Sequence, residues 1–370
     1  MREAEIGRRR PRSVRECALA HSFDRKVGKK MERIHVKVPG EQPQDREYMK
    51  QALALAEKGH GWVNPNPMVG AVLVKDGRII GEGYHTRYGQ LHAEREAFKN
   101  AAERGEETAG ADLYVTLEPC CHTGKQPPCT EAVLASGVKR VIVGCTDPNP
   151  VVAGRGIRLL REKGLEVVAG VLRGECERQN EVFFHFMRTK LPFTVLKYAM
   201  TLDGKTATVS GKSQWITGEA ARKRVHEDRG RYMAILTGVS TVLADNPQLT
   251  CRIPGGKNPI RVIADTKLRT PLSSTVVQTA RETPTWIVTA VSDAGRKKAY
   301  EDAGCRVLSV PAKEGELDLQ AMMQRLGEEK VDSVMVDSGG TLAWSFLKAG
   351  LVNRVQAYIA PKIFGGAGAP

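Results

Sequence analysis

Several scarcities in this sequence narrow what it can do. No stretch approaches the roughly 18 consecutive apolar residues of a membrane-spanning helix, so an integral membrane protein of that type is excluded. The N-terminus has no apolar signal core, which argues against secretion and makes a cytoplasmic protein the expectation. Aromatic residues are only 5% of the chain, too few to suggest the stacking platform of an RNA-binding module. No G-x-G-x-x-G lies between a strand and a helix, so the dinucleotide-binding fingerprint is missing. Gly211-Lys212-Ser213 matches the end of a phosphate-binding loop, but Thr206 stands where its first glycine belongs, and that reading fails.

The 370 residues suit two domains, and 41% hydrophobic with 26% charged residues is ordinary for a soluble globular chain. The formal net charge of +14 points to anionic partners, either nucleic acid or phosphorylated small molecules. Part of the excess gathers in residues 1–44, where Arg8-Arg9-Arg10, Arg12, Lys29 and Lys30 sit among few apolar residues and read as a disordered basic tail. Three of the eight cysteines crowd between positions 120 and 129. In a chain without secretion signals such a cluster reads as metal-binding or catalytic before it reads as disulfide.

Met49, Leu53 and Ala56, closed by Gly59, give helical spacing from about Asp45. Residues 68–74 and 78–84 read as strands around an Asp76-Gly77 turn. A helix over 92–104, a strand over 112–117, a helix over 130–136 and a strand over 140–144 follow, then a helix over 157–163 and a strand over 166–171. This alternation predicts a layered α/β domain with largely parallel pairing. A helical stretch over 175–189 ends near Pro192, where a second alternation begins. Its strands are expected at 193–201, 234–238, 260–265, 285–289, 306–310, 333–336 and 355–360, with a helix over 219–229. The expected organisation is a tail (1–44), a first domain (45–190) and a second (191–370).

The chemistry concentrates at His92-Ala93-Glu94, Pro119-Cys120 and Cys129. A hydrolytic deaminase must make water nucleophilic at neutral pH and move protons to the ring and the leaving ammonia. Zinc held by three protein ligands with one open position brings bound water to a pKa of about 7. One neutral imidazole and two thiolates, as His92, Cys120 and Cys129 would supply, leave that complex uncharged. Glu94, two residues after His92, is the candidate acid/base, and the set matches the H-x-E…P-C-x-x-C pattern of zinc nucleobase deaminases. The gap from Cys121 to Pro128 is longer than that pattern. The rival is a closed structural zinc site with Cys121 or His122 as fourth ligand; Glu94 argues against it, because a structural site needs no acid beside the metal.

Longer motifs carry a resemblance. Asn64-Pro65-Asn66-Pro67-Met68-Val69-Gly70, Thr116-Leu117-Glu118-Pro119-Cys120 through Gln126-Pro127-Pro128-Cys129, and Asp147-Pro148-Asn149-Pro150 resemble the bifunctional deaminase/reductase family of riboflavin biosynthesis. So do Lys197-Tyr198-Ala199-Met200-Thr201-Leu202-Asp203-Gly204-Lys205, Ser213-Gln214-Trp215-Ile216-Thr217, and Gly238 through Pro247, so that the match runs from about Asp45 to Pro370. The resemblance implies a cytidine-deaminase-like three-layer α/β/α domain followed by a dihydrofolate-reductase-like α/β domain. It implies hydrolytic deamination of a phosphorylated pyrimidine with Zn2+, then reduction of its ribosyl group with NADPH. On the deaminase side it implies substrate contacts at Asn66, His85 and Lys125. On the reductase side it implies NADP contacts at Ala199, Trp215, Thr241, Asp245, Gly339 and Gly340, and substrate contacts at Ser213, Arg229, Leu249, Arg252 and Asp337. Asp337 stands where the family commonly has glutamate. The family pattern also continues a strand or two past Pro370, so the reductase is expected to be incomplete at that end.

Two other functions compete. One is a nucleic-acid base deaminase with an RNA-binding second half, which the basic charge favours and the shortage of aromatics opposes. The other is a deaminase with a reductase-like half that serves assembly only. A homo-oligomer without membrane or nucleic-acid partners is the expectation.

Overall fold

A computed structural model describes residues 38–211, 215–366 and 368–369. Most of the expected tail, residues 1–37, and the candidate site residue Ser213 lie outside the described residues. Residues 38–44 do not behave as tail. The Val38 amide donates to Glu41 Oε2 at 2.9 Å, and Val38 packs on the core beside Val168.

The first sheet is formed by β1 (Gly70–Lys75), β2 (Arg78–Tyr84), β3 (Asp112–Leu117), β4 (Arg140–Cys145) and β5 (Glu166–Ala169), in the order β2-β1-β3-β4-β5. Around it lie α1 (Asp45–Glu57), α2 (Ala93–Glu103), α3 (Cys129–Ala135), α4 (Arg155–Glu162), α5 (Arg173–Gln179) and α6 (Glu181–Thr189). β3 and β4 read as near-continuous apolar runs because helices cover both faces, and β4 is buried throughout. Pairing is mixed rather than largely parallel. The Asp76-Gly77 turn returns β2 antiparallel to β1, and the α2 crossover sets β3 antiparallel on the other side of β1. Only β3–β4 and β4–β5 are parallel.

The buried face of α2 is made of Ala93, Ala97 and Ala101, four residues apart. These small residues let α2 approach β2 so closely that a Cβ on Gly83 would meet Ala97 N at 2.3 Å. That close fit fixes where α2 starts, and with it His92 and Glu94. The helical stretch expected over 175–189 is broken at Asn180, whose side chain accepts from Met68 N and donates to Met68 O, both at 2.8 Å. A side chain spent on the strand-like backbone before β1 ends one helix and starts the next.

Arg140 on β4 is buried among acids. It reaches Asp45 at 3.2 Å, Asp112 at 3.1 Å and Glu166 at 3.0 Å, while Tyr114 donates to Asp45 at 2.8 Å. Removing the cation strands buried carboxylates, a change that typically costs about 3–5 kcal/mol. Arg140→Met is therefore expected to lower the unfolding free energy by about that cost, read as a fall in the denaturant midpoint of that cost divided by the m-value. An unchanged midpoint would show that the cluster contributes nothing net.

The second sheet contains β6 (Phe193–Thr201), β7 (Ala234–Gly238), β8 (Ile260–Ala264), β9 (Thr285–Thr289), β10 (Arg306–Ser309), β13 (Ser333–Asp337) and β14 (Arg354–Ala360). A small hairpin, β11 (Ala312–Lys313) with β12 (Glu316–Leu317), lies outside it. The order is β10-β9-β8-β7-β13-β6-β14, and every pairing is parallel. Helices α7 (Glu219–Arg231), α8 (Val239–Asp245), α9 (Thr275–Gln278), α10 (Ala294–Asp302), α11 (Leu319–Glu328) and α12 (Gly340–Lys348) complete it. A core cluster that includes Leu196, Leu236, Val262 and Val336 is distinct from one that includes Val195, Ile235, Ile263 and Met335, and these neighbouring strand positions point to opposite faces of the sheet. No helix of the described residues is long and apolar enough to cross a membrane.

The two sheets meet through close contacts. Asn64 Nδ2 donates to the buried Asp332 at 2.7 Å, and Glu181 pairs with Arg354. Gly61, at φ +76°, comes so near that a Cβ there would lie 2.1 Å from Gly230 O.

Candidate active sites

His92 caps the N-terminus of α2, Glu94 lies in its first turn, Cys120 follows β3 and Cys129 opens α3. Two strand-to-helix transitions therefore converge. His92 Nδ1 lies 3.5 Å from Cys120 Sγ and 3.3 Å from Cys129 Sγ, and the three ligand atoms are all within 4.8 Å of one another. Tetrahedral zinc with bonds of about 2.3 Å to sulfur and about 2.05 Å to nitrogen needs N···S separations of about 3.5 Å, so the set fits the metal. Among the described residues neither Cys121 nor His122 joins this group, which leaves a three-ligand site.

The protons are arranged accordingly. A hydrogen bond from the Cys129 thiol, opposed by burial and aided by His92, brings Cys120 down to about 4. Cys129 is pushed the other way, by Cys120 and then by burial. These opposed shifts favour Cys120 as the first thiolate, and a bound cation would favour the second by displacing its proton. Glu94 is 3% exposed, and burial raises its pKa, so it can hold a proton as well as take one.

His92, Glu94 and Cys120 line a cavity of about 230 Å3 with Asn66, His85 and Lys125, the three expected substrate contacts. His85 Nδ1 donates to Leu91 O at 2.9 Å, which leaves Nε2 as acceptor for Asn66 Nδ2 at 3.2 Å. Burial lowers the His85 pKa and keeps the ring neutral. Lys125 Nζ stands 4.0 Å over the Tyr88 ring.

Sequence reasoning assigned no role to Glu118, Asp147, Asn149 or Tyr88, which also line the cavity. Glu118 accepts from Asp147 N at 3.1 Å and Gly154 N at 2.8 Å, and so shapes the loop after β4. Burial lifts Asp147 to about 6. The Asp147-Pro148-Asn149-Pro150 motif was the available signal, since its turn-forming residues follow directly on a buried strand.

In the second half Ala199, Asp337 and Gly339-Gly340 lie toward the carboxyl ends of β6 and β13, and Thr241 follows β7, at the edge where parallel sheets bind ligands. Gly238 N donates to Ser338 Oγ at 3.4 Å, so the loops leading into α8 and α12 adjoin. Thr241 on α8 and Gly339-Gly340 at the start of α12 therefore lie near one another, with Ala199 on neighbouring β6. Asp245 is at the far end of α8 and exposed. Trp215 is 60% exposed, with the Arg222 guanidinium 4.7 Å from its ring.

Arg229 bonds Asp337 at 3.0 Å and Thr250 O at 3.2 Å, and Lys197 pairs with the other Asp337 oxygen at 3.1 Å. Burial alone would raise the Asp337 pKa, but Lys197 and then Arg229 outweigh it and hold the carboxyl below its usual range. Lys197 was quoted in a motif but given no role. Arg252 is exposed. Leu249, at φ +55°, is only 4% exposed and packs in the core cluster with Ile235 and Ile263. From Leu249 the backbone, not the side chain, is what a ligand could meet.

The family model for the cytidine and deoxycytidylate deaminase zinc-binding region matches residues 42–145, and that for the RibD C-terminal domain matches residues 192–370. The riboflavin biosynthesis protein RibD of Actinobacillus pleuropneumoniae is 50% identical over 322 residues, covering 87% of this chain and 85% of its own. This chain belongs to the RibD family. The RibD of Escherichia coli (strain K12) is 43% identical over 335 residues, covering 87% of this chain and 89% of its own. Among solved structures, the Thermotoga maritima diaminohydroxyphosphoribosylaminopyrimidine deaminase/5-amino-6-(5-phosphoribosylamino)uracil reductase superposes with a TM-score of 0.78 at 43% identity, covering 87% and 88% of the two chains. Acinetobacter baumannii RibD superposes with the same TM-score at 38% identity, covering 88% and 89%. As a RibD the chain is a bifunctional enzyme of riboflavin biosynthesis, with a zinc-binding deaminase half and an NADPH-dependent reductase half.

Proposed function

We propose that this chain deaminates 2,5-diamino-6-(5-phosphoribosylamino)pyrimidin-4(3H)-one and then reduces the resulting 5-amino-6-(5-phosphoribosylamino)uracil to its ribityl form. The observation that carries the reading is the His92, Cys120 and Cys129 set at a cavity lined by His92, Cys120 and Glu94. Zinc on those ligands supplies the Lewis acidity that lets water act as a nucleophile near neutral pH. Glu94 takes a proton from the attacking water and shuttles protons to the ring nitrogen and the departing amine, so that N=C–NH2 and H2O become HN–C=O and NH3. Asn66, the neutral His85 and Lys125 orient the pyrimidine and its phosphorylated substituent. In the other half bound NADPH would supply the hydride that, with one proton, reduces the ribosyl group to ribityl. Ala199, Trp215, Thr241, Asp245, Gly339 and Gly340 would hold that cofactor, while Asp337, Arg229, Arg252, Ser213 and the Leu249 backbone hold the ribosyl phosphate.

We assign residues 38–190, seven more than the sequence expectation, to the first domain and 191–370 to the second, in a cytoplasmic homo-oligomer. The buried Phe183 and Phe184 of α6 pack in the core of the first sheet, while Phe193 opens the second, which supports a boundary near Pro192. The deciding assay supplies the deaminated phosphoribosylaminouracil and follows NADPH absorbance. Oxidation equimolar with ribityl product is expected from the zinc-loaded enzyme. Ammonia release from the diamino substrate without any NADPH oxidation would instead leave a reductase half devoted to assembly.

A further inference from the structure

A second space, a cleft of about 510 Å3, opens between the two halves and is lined by Trp62, Asn64, Arg87, Tyr88, Lys257 and Lys330, among others. It shares Tyr88 with the deaminase cavity. The same two loops wall both spaces. Asn64 and Pro65 face the cleft and Asn66 and Pro67 the cavity, while Arg87 faces the cleft and His85 the cavity. The Tyr88 amide donates to Trp62 O at 3.1 Å and ties the loops together.

The charge of the cleft is one-sided. Among the described residues none of Arg87, Lys257 and Lys330 forms a salt bridge, whereas Arg140, Lys197 and Arg229 are all paired. The Arg87 guanidinium stacks 4.6 Å from the Trp62 ring, which orients it and leaves its N–H groups free. The carboxylate of Asp332, which attracts Lys257, is buried and bonded by Asn64 at 2.7 Å. Burial and then Arg87 destabilise the Lys257 cation, with Asp332 the opposing attraction. Among the described residues the cleft is lined by three cations and two aromatic rings and by no carboxylate, which makes a site lacking its anion.

The position separates this cleft from the reductase site. Met233, Lys257 and Lys330 precede β7, β8 and β13, so the cleft lies at the amino edge of the second sheet. The NADPH residues lie at the carboxyl edge. The geometry points to a phosphomonoester site in the interlobe cleft, formed by Arg87, Lys257 and Lys330 with Trp62 and Tyr88 as its floor. The phosphate is either that of the deaminase substrate, whose ring would occupy the 230 Å3 cavity on the other side of Tyr88, or that of a separate phosphorylated sugar. The first source rests on the deaminase reading above, and the second does not.

The test uses the full zinc-loaded chain and the variant R87A/K257A/K330A, with K257A alone as a milder surface change. Deamination is measured on the phosphorylated substrate and on its dephosphorylated nucleoside, and ribose 5-phosphate binding by calorimetry. The expected result is a KM for the phosphorylated substrate raised roughly tenfold or more, as for loss of a charge-assisted contact, with kcat and the nucleoside KM unchanged. Unchanged KM values with loss of ribose 5-phosphate binding would assign the cleft to a separate phosphorylated ligand. Unchanged KM values and unchanged or absent ribose 5-phosphate binding overturn the proposal. Failure of the wild-type chain to deaminate would instead refute the deaminase reading, and the calorimetry would still decide the cleft.

Discussion

Glu94→Gln is expected to keep its zinc and to lose deamination by about 10²–10⁴-fold, the usual contribution of a positioned proton carrier. The amide has nearly the shape of the acid, so the start of α2 and the His92 ligand should stay in place. What disappears is the ability to take a proton from water and return it to nitrogen. Burial makes this loss large, because water has poor access to a carboxyl that is 3% exposed and cannot easily substitute for it. Metal content by elemental analysis and ammonia release by coupled assay check both halves of the expectation. Cys129→Ala should do the opposite and lose metal, while Cys121→Ser should retain it. Ammonia release at the wild-type rate from Glu94→Gln would remove Glu94 from the mechanism.

Asp337→Asn is expected to lower reductase kcat/KM by roughly 10–100-fold, the range for losing a hydrogen bond to a charged partner. Asp337 separates Lys197 from Arg229 and is bonded to both. With a neutral amide the two cations repel, and the side chains meant for the ribosyl phosphate lose their orientation. NADPH oxidation at varied substrate measures this, and deamination should not change. The same carboxyl also affects stability. Its folded pKa is depressed, so its contribution is present above the unfolded value of about 3.9 and is lost as pH falls through the folded value. The stability gap between wild type and Asp337→Asn should therefore shrink on acidification. A gap independent of pH would mean that the charge is not what stabilises the site. Asp337→Glu restores charge at greater length and tests whether the shorter acid is matched to this pair.

Sequence carried the deaminase site well because its chemistry is local. His92 and Glu94 share one helical turn, and Cys120 and Cys129 bracket one loop, so residue type and spacing almost define the geometry. It carried strand positions well where burial on both faces makes continuous apolar runs, as in β3 and β4. Pairing direction in the first sheet was misread, since helix–strand alternation does not reveal that β2 and β3 flank a reversed β1. The break at Asn180 was hidden because its cause is a backbone segment 112 residues away. Short α8 escaped notice because Val239, Thr241 and Val242 are β-branched and favour strands. The family match drew attention to Leu249, yet its side chain belongs to the core. The cleft cations could not be read at all. Arg87, Lys257 and Lys330 come from three distant segments and become neighbours only because the two sheets pack against each other.

The parallel second sheet presents one edge to the deaminase half, and the residues we assign to NADPH lie at the other. Strands of five residues put those edges roughly 16 Å apart, at about 3.3 Å per residue. On the assignments proposed above, an intermediate passing between the two sites of one chain would have to travel around the sheet through solvent. The second step responds to the size of a shared pool, and flux through it follows reductase KM more than proximity. What joining the two activities secures is equal copy number, so that neither step outgrows the other as expression rises or falls.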